Sequence, residues 1–397
     1  MTETIRLTEY QDERVRLDHT DAEFVLSRLA HRVAIRREVH SEDHVLNPGP
    51  FVGVVVLPSG RRLESFPKVP VRNLFHMLAV ASGLEAPFRD EEVGVDRLDE
   101  VLEFVVAHFA DLVERRIDVG LYRAYVEQEA NLATVRGRIG VAEDVRRNHV
   151  LRHRTWCRYA EFTWDVPENQ VVRQVVHLLG GWVRRPELRL RLRRIDAILA
   201  EVTPTNMSAS AIGRFAYHRL NDDYRPIHRL CRLFLEGASL SEDEGPFDFR
   251  AFLVDMNKLF EAFVTEVLRE RAPSRMVVRS QSQLFLGQDR RVEMRPDLLV
   301  DADQRTALVA DCKYKRLAPD EFRHHDVYQL LAYCTASDVA RGLLIYPAHE
   351  VQIRDEVRIR NAPISIRQTT IDLGGSGELL HRACDDLGGE VFGWVEG

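Results

Sequence analysis

The sequence predicts an α+β fold in three parts: a β-rich start, a mainly helical middle, and a small mixed sheet flanked by helices. Three observations predict it. Residues 52–57 are an apolar run, and Pro58-Ser59-Gly60 separates them from residues 61–66, which reads as strand, turn and strand. From Val71 the apolar residues switch to helical spacing, as in Leu74, Met77, Leu78 and Ala81. Past residue 245 an amphipathic helix precedes several short apolar strands. The expected domains are therefore 1–70, β-rich; 71–245, mainly helical; and 246–397, the mixed sheet.

Taken in order, a short helix is expected over 21–31, and Pro67 and Pro70 close the hairpin that follows. Val101, Leu102, Val105, Phe109 and Val113 predict a helix over 98–114, and two more are expected over 169–182 and 188–202. Residues 237–245, with Ser239, Ser241 and three acidic residues between two glycines, read as an exposed linker. Met256, Leu259, Phe260, Phe263, Val264, Val267 and Leu268 share one helical face. Strands are expected over 276–278, 292–300 and 307–314, then a helix over 327–336 and a strand over 342–346.

Composition narrows the function. A net charge of −7 excludes a generally basic surface, so any nucleic-acid contact must come from local patches or from a partner. The five cysteines are widely spaced with no C-x-x-C pair, as expected of reduced thiols and not of a zinc site. No apolar run suits a membrane span, and a cytoplasmic location is expected. No Gly-Lys pair exists anywhere, so this chain is expected to bind no nucleotide through a P-loop.

The most informative stretch is Arg295-Pro296-Asp297-Leu298-Leu299-Val300, followed by Asp311-Cys312-Lys313. Asp311 and Lys313 share a strand face while Cys312 points away. A hairpin turning through Asp301-Ala302-Asp303-Gln304 would bring Asp297 to Asp311. Two converging carboxylates need a cation, and Mg²⁺, or Mn²⁺ in its place, suits them with the Cys312 carbonyl as a further ligand. Lys313 would orient or deprotonate a water, or offset charge on a phosphate. Of 55 basic residues only four are lysines, Lys68, Lys258, Lys313 and Lys315, so a lysine here points to a compact point charge. Glu261 is a candidate third carboxylate, or an ordinary helix glutamate. Gln329 and Tyr333 lie four apart on one helix face and either touch the site or belong to the core. The bland alternative for the whole motif is a strand-capping aspartate beside a surface ion pair.

The Asp297…Asp311-x-Lys313 arrangement resembles the PD-(D/E)xK nuclease fold. Further stretches resemble McrC, the endonuclease subunit of McrBC modification-dependent restriction systems. They are Val69-Pro70-Val71-Arg72-Asn73-Leu74, Val135-Arg136-Gly137-Arg138-Ile139, Pro167-Glu168-Asn169, Asp311-Cys312-Lys313-Tyr314, Tyr328-Gln329-Leu330 and Gly342-Leu343-Leu344-Ile345-Tyr346-Pro347, in the family's order. The resemblance spans about residues 50–350. It implies a Mg²⁺-dependent DNA endonuclease working with McrB, a hexameric AAA+ GTPase that reads methylated cytosine in double-stranded DNA. It also implies that the N-terminal half enters the GTPase ring. Residues 1–68 precede the start of compact family members and suggest an added contact module.

Seven arginines lie between Arg136 and Arg158, and Arg136, Arg138, Arg146 and Arg147 are the candidates for DNA or partner contact. Arg184, Arg185, Arg189, Arg191, Arg193 and Arg194 read instead as a solvated helix face pairing with acidic neighbours or with the partner ring. Two other functions compete with the nuclease subunit. One is a non-catalytic activator of the GTPase, and the other is an autonomous RecB-type exonuclease suggested by Gln329 and Tyr333.

Overall fold

The computed structural model describes residues 4–38, 41–81, 98–150, 153–238, 251–315, 323–348, 354–375 and 377–396. The chain divides into two compact units. One comprises residues 1–102, 240–242 and 250–397, and the other residues 103–239 and 243–249.

The first unit opens with β1 (Thr4–Thr8), β2 (Glu13–Arg16), α1 (His19–Arg28), β3 (Ala34–Arg37), β4 (Asp43–Asn47), β5 (Phe51–Val56), β6 (Arg62–Phe66) and α2 (Val71–Ala81). α1 begins where the Asp18 carboxylate accepts the Asp21 N–H at 2.8 Å, satisfying a donor that the first helical turn leaves open. β5 and β6 form the expected antiparallel hairpin, and β1 adds in parallel to β6. β2, β4 and β3 make a second, three-stranded sheet. Ile5, Leu7, Leu29, Leu46 and Leu63 bury one shared core here.

The second unit holds α3 (Leu98–Val119), β7 (Ala124–Leu132), β8 (Arg138–Ile139), α4 (Val141–Asn148), β9 (Thr155–Thr163), α5 (Pro167–Trp182), α6 (Pro186–Ile198), α7 (Ala209–Ile212) and α8 (Tyr224–Ala238). The helices agree with their sequence patterns. The β7–β9 ladder, running from Ala124 opposite Thr163 to Leu132 opposite Thr155, was not foreseen. Neither face of this ladder is fully covered, and Tyr125 and Phe162 on it are 75% and 55% exposed. No apolar alternation therefore marks these strands. Of the expected linker 237–245, only its first two residues are described, and they end α8.

The first unit resumes with β10 (Ala251–Asp255), α9 (Met256–Arg271), β11 (Met276–Ser280), β12 (Leu284–Phe285), β13 (Glu293–Met294), β14 (Leu298–Ala302), β15 (Arg305–Cys312), α10 (His324–Ser337), β16 (Arg341–Ala348), β17 (Arg354–Arg358), β18 (Ser365–Asp372) and α11 (Gly377–Glu396). β10 joins the N-terminal sheet antiparallel to β5, with Leu253 opposite Gly53. Gly53 has φ +152, and a Cβ there would meet the Phe252 carbonyl oxygen at 2.0 Å, so only glycine permits this approach. Through this pairing the segments expected as separate domains 1–70 and 246–397 fall into one unit, and α2 joins them. A six-stranded mixed sheet follows in the order β11-β14-β15-β16-β18-β17, with β16 parallel to both β15 and β18. The expected strand 292–300 is broken in two at Arg295-Pro296-Asp297, because Pro296 has no N–H to continue a ladder.

Candidate active site

The β14–β15 hairpin turns at Asp303 and Gln304, both with positive φ (50° and 66°), the left-handed pair that a two-residue hairpin turn requires. Its register puts Leu298 opposite Ala310, so one step further out Asp297 faces Asp311. The Asp297 Oδ2 accepts the Cys312 N–H at 2.7 Å. Asp311 is 1% exposed, and its Oδ2 lies 2.5 Å from the Lys313 Nζ. That oxygen accepts no well-directed hydrogen bond among the described residues. The Lys313 ammonium donates to the Gln329 Oε1 at 3.0 Å, and the Gln329 Nε2 donates to the Tyr333 hydroxyl at 2.7 Å. These two bonds fix which way the amide points.

Gly342 on β16 lets α10 approach closely enough for this. A Cβ there would stand 2.8 Å from the Cys334 Sγ and 3.0 Å from Leu330. Leu330 and Cys334 lie about 100° round the helix from Gln329 and Tyr333 and enter the core, which Tyr333 shares.

α9 brings Glu261. Asp255 caps this helix by accepting the Asn257 N–H at 3.0 Å, and Phe260, Phe263 and Val264 bury its apolar face. The Glu261 carboxylate is held by the Gln281 side chain. Gln281 itself has φ +52, and its backbone N–H donates to the Asp297 carbonyl at 3.1 Å. It thus ties the Glu261 side chain to the backbone that carries Asp297.

The electrostatics agree with the geometry. Burial raises the Asp297 carboxyl well above the ordinary carboxylate range, and the negative charges of Asp311 and Glu261 raise it further. Burial likewise raises Asp311, opposed by Lys313, and raises Glu261, opposed by Gln281. Burial alone would lower the Lys313 ammonium, but the charges of Asp311, Asp297 and Asp326 together outweigh it and the group is raised. Carboxyls raised in this way mark a place short of positive charge. Among the described residues no three His, Cys, Asp or Glu side chains converge closely enough to hold a metal ion as they stand. The carboxylates nearest one another are Asp297 and Asp311, while Glu261 is bonded to Gln281. A pair of carboxylates is nevertheless what Mg²⁺ takes from a protein when water and phosphate oxygens complete its shell.

The structure therefore brings together Asp297, Asp311, Lys313, Gln329, Tyr333 and the flank of Glu261, with Asp311 buried and Asp297 and Lys313 half-buried, so the motif is not an exposed surface ion pair. It separates the two neighbouring lysines. Lys315 bonds to Asp326 at 3.0 Å, and fully buried Asp326 also accepts the Tyr346 hydroxyl at 3.1 Å. Gln281, Asp326 and Tyr346 were missed by the sequence reading. Each is tied to its partner across 11 to 20 residues, a spacing with no local signature.

In the second unit the arginines are matched by acids that folding delivers. Arg136 pairs with Glu161 at 3.3 Å and stacks 4.2 Å from the Tyr159 ring centre. Arg146 and Arg147 both reach Glu143, and Arg158 reaches Glu129 at 2.6 Å. Arg138 lies on the edge strand β8 and is exposed; Arg152 lies outside the described residues. In the helix-borne cluster Arg185 pairs with Glu103 and Arg191 with Asp111 and Glu114, while Arg189 donates to the Val183 carbonyl.

Fold and site together define an α+β protein with an acidic pair, one member buried, and a half-buried lysine at one end of a mixed sheet. The chain belongs to the family of McrBC 5-methylcytosine restriction system components, whose model matches residues 46–347. It is 22% identical over 349 residues to the type IV methyl-directed restriction enzyme EcoKMcrBC of Escherichia coli K12, covering 81% of this chain and 97% of that protein. Its fold is similar to McrC bound to McrB AAA+ hexamers from Thermococcus gammatolerans. That similarity has a TM-score of 0.54 at 19% identity and covers 97% of this chain and all of the other. The resemblance to McrC is thus borne out. The fold similarity also takes in most of residues 1–68, which are no addition relative to that structure. No helix among the described residues is long and apolar enough to cross a membrane.

Proposed function

We propose that this chain is the DNA-cleaving subunit of a modification-dependent restriction system, hydrolysing phosphodiesters with Mg²⁺ alongside an McrB-like AAA+ GTPase. The observation that carries this reading is the convergence of half-buried Asp297 and Lys313 on buried Asp311 at the sheet end. Asp297 and Asp311, with the Cys312 carbonyl, would hold the ion, and Glu261 would join when released by Gln281. The ion when bound would supply Lewis-acid polarisation of a phosphate oxygen and a more acidic water. Lys313, steered by Gln329, would orient the attacking water and offset charge on the phosphate as the bridging P–O bond breaks. The attacking water would lose its proton to solvent, and the leaving oxygen would take one from solvent.

Partner and substrate follow from the relatives. The Thermococcus protein binds McrB AAA+ hexamers, and this sequence has no P-loop lysine of its own. Double-stranded DNA with modified cytosine is the proposed substrate, in keeping with the family's 5-methylcytosine system. Arg136, Arg138, Arg146 and Arg147 are proposed as DNA or partner contacts. The test is plasmid cleavage with Mg²⁺, on methylated and unmethylated DNA, with and without the GTPase and GTP. Cleavage requiring partner, GTP and methylation, and abolished in Asp311→Ala, is expected. Digestion of linear ends without the GTPase would replace this reading with an autonomous exonuclease. Stimulated GTP hydrolysis with no cleavage would leave an activator only.

A further inference from the structure

Glu9 is a fully buried carboxylate in the N-terminal segment, far in sequence from the acidic cluster. Its Oε1 accepts the Lys68 N–H at 2.6 Å and the Tyr314 hydroxyl at 3.0 Å. Tyr314 directly follows Lys313, is itself buried, and packs its ring 5.8 Å from Phe260, the neighbour of Glu261. The β15 ladder ends at Cys312. Beyond it the Lys313 main chain keeps one sheet-like bond, its N–H to the Ile345 carbonyl at 2.8 Å. The Lys313 carbonyl accepts the Lys315 N–H at 2.8 Å, and between the two Tyr314 is anchored on Glu9.

The next residue reaches the other carrier of the site. The Tyr10 hydroxyl donates to the Asn257 Oδ1 at 3.3 Å, one turn before Glu261 on α9. Tyr10 has φ +58, a left-handed conformation that bulky residues rarely adopt and that only a well-determined surrounding maintains. A buried carboxylate and a strained tyrosine, side by side, thus reach Tyr314, two residues beyond β15, and α9, which carries Glu261. Burying the carboxylate costs desolvation, which its two donors offset only if they stay in place.

We infer that Glu9 is a positioning residue for cleavage, acting through the Tyr314 hydroxyl to hold Lys313 against Asp311. This rests on the nuclease reading. Glu9→Ala and Tyr314→Phe, each in the full chain with partner and DNA, are expected to lower kcat about tenfold with KM for DNA unchanged. The double variant is expected to be no slower than the slower single one, since both remove the same bond. Glu9→Gln keeps an acceptor for Tyr314 and is expected to restore most of the rate. Wild-type rates in both single variants would overturn the inference. So would a Glu9→Gln protein as slow as Glu9→Ala, or effects that multiply. Tyr314→Phe removes one oxygen and decides the matter if Glu9→Ala fails to fold. If the wild-type chain cleaves no DNA, the nuclease reading fails, and amide hydrogen exchange decides the positioning on its own. Faster exchange of the Lys313 N–H in Tyr314→Phe would sustain it, and unchanged exchange would overturn it.

Discussion

At the scale of the residue, the choice of lysine at position 313 is the sharpest feature. The ammonium bridges Asp311 and Gln329 within a buried space where a planar guanidinium would need a wider fork. Lys313→Arg keeps the charge yet is expected to lose on the order of 10²-fold or more in cleavage rate. Comparing single-turnover rates of the two proteins on the same DNA checks this, and a rate near wild type would mean that charge alone is needed. Asp297, Asp311 and Lys313 were legible because strand alternation and one hairpin turn place them. Gln281 was not, since its role depends on a left-handed backbone and on a bond to Glu261 twenty residues away. Asn73 and Asn169, in two of the stretches that carried the family resemblance, prove to be structural fixings. Asn73 donates to the carbonyls of Leu373 and Gly375, and Asn169 to those of Tyr122 and Trp164.

At the scale of the element, α9 and the β14–β15 hairpin were foreseen because their apolar residues repeat at the period of the structure they form. β7, β9 and β10 were not. The first two lack a fully buried face, and β10 acquires its identity only by pairing with β5. α8 illustrates a buried polar group kept in one protonation state. His228 Nε2 donates to the Glu168 carbonyl at 3.1 Å, while its Nδ1 accepts the Tyr217 hydroxyl at 2.9 Å. Burial lowers this imidazole from 6.5 to about 4, against the opposing pull of the Glu168 carbonyl. Between those values the unfolded chain binds a proton that the folded chain refuses. The contribution to stability is therefore complete above about pH 6.5 and lost as the pH falls to about 4, amounting to about 3 kcal/mol. Three of the four tryptophans, Trp156, Trp164 and Trp182, belong to the same unit and report on it. Urea midpoints followed by their fluorescence should fall across that window, and less so in His228→Gln. A flat wild-type profile would contradict the assignment.

At the scale of the whole molecule, the N-terminal segment and the sheet that carries the acidic pair share a unit. β10 completes the N-terminal sheet and runs directly into α9, and Leu253 is part of the N-terminal core. Removing residues 1–70 would leave β10 without its partner and Leu253 exposed, so the remainder is expected to lose cooperative unfolding. Differential scanning calorimetry of the truncated chain checks this; a sharp transition would show that residues 246–397 hold a self-sufficient core. The central claim is that the Asp297–Asp311 pair takes up a divalent cation for phosphodiester cleavage. A Mn²⁺ titration of the full chain, read by electron paramagnetic resonance, tests it most directly. Saturable binding by the wild type that disappears in Asp311→Asn is the predicted result. Equal binding by both proteins, or none by the wild type, would contradict it.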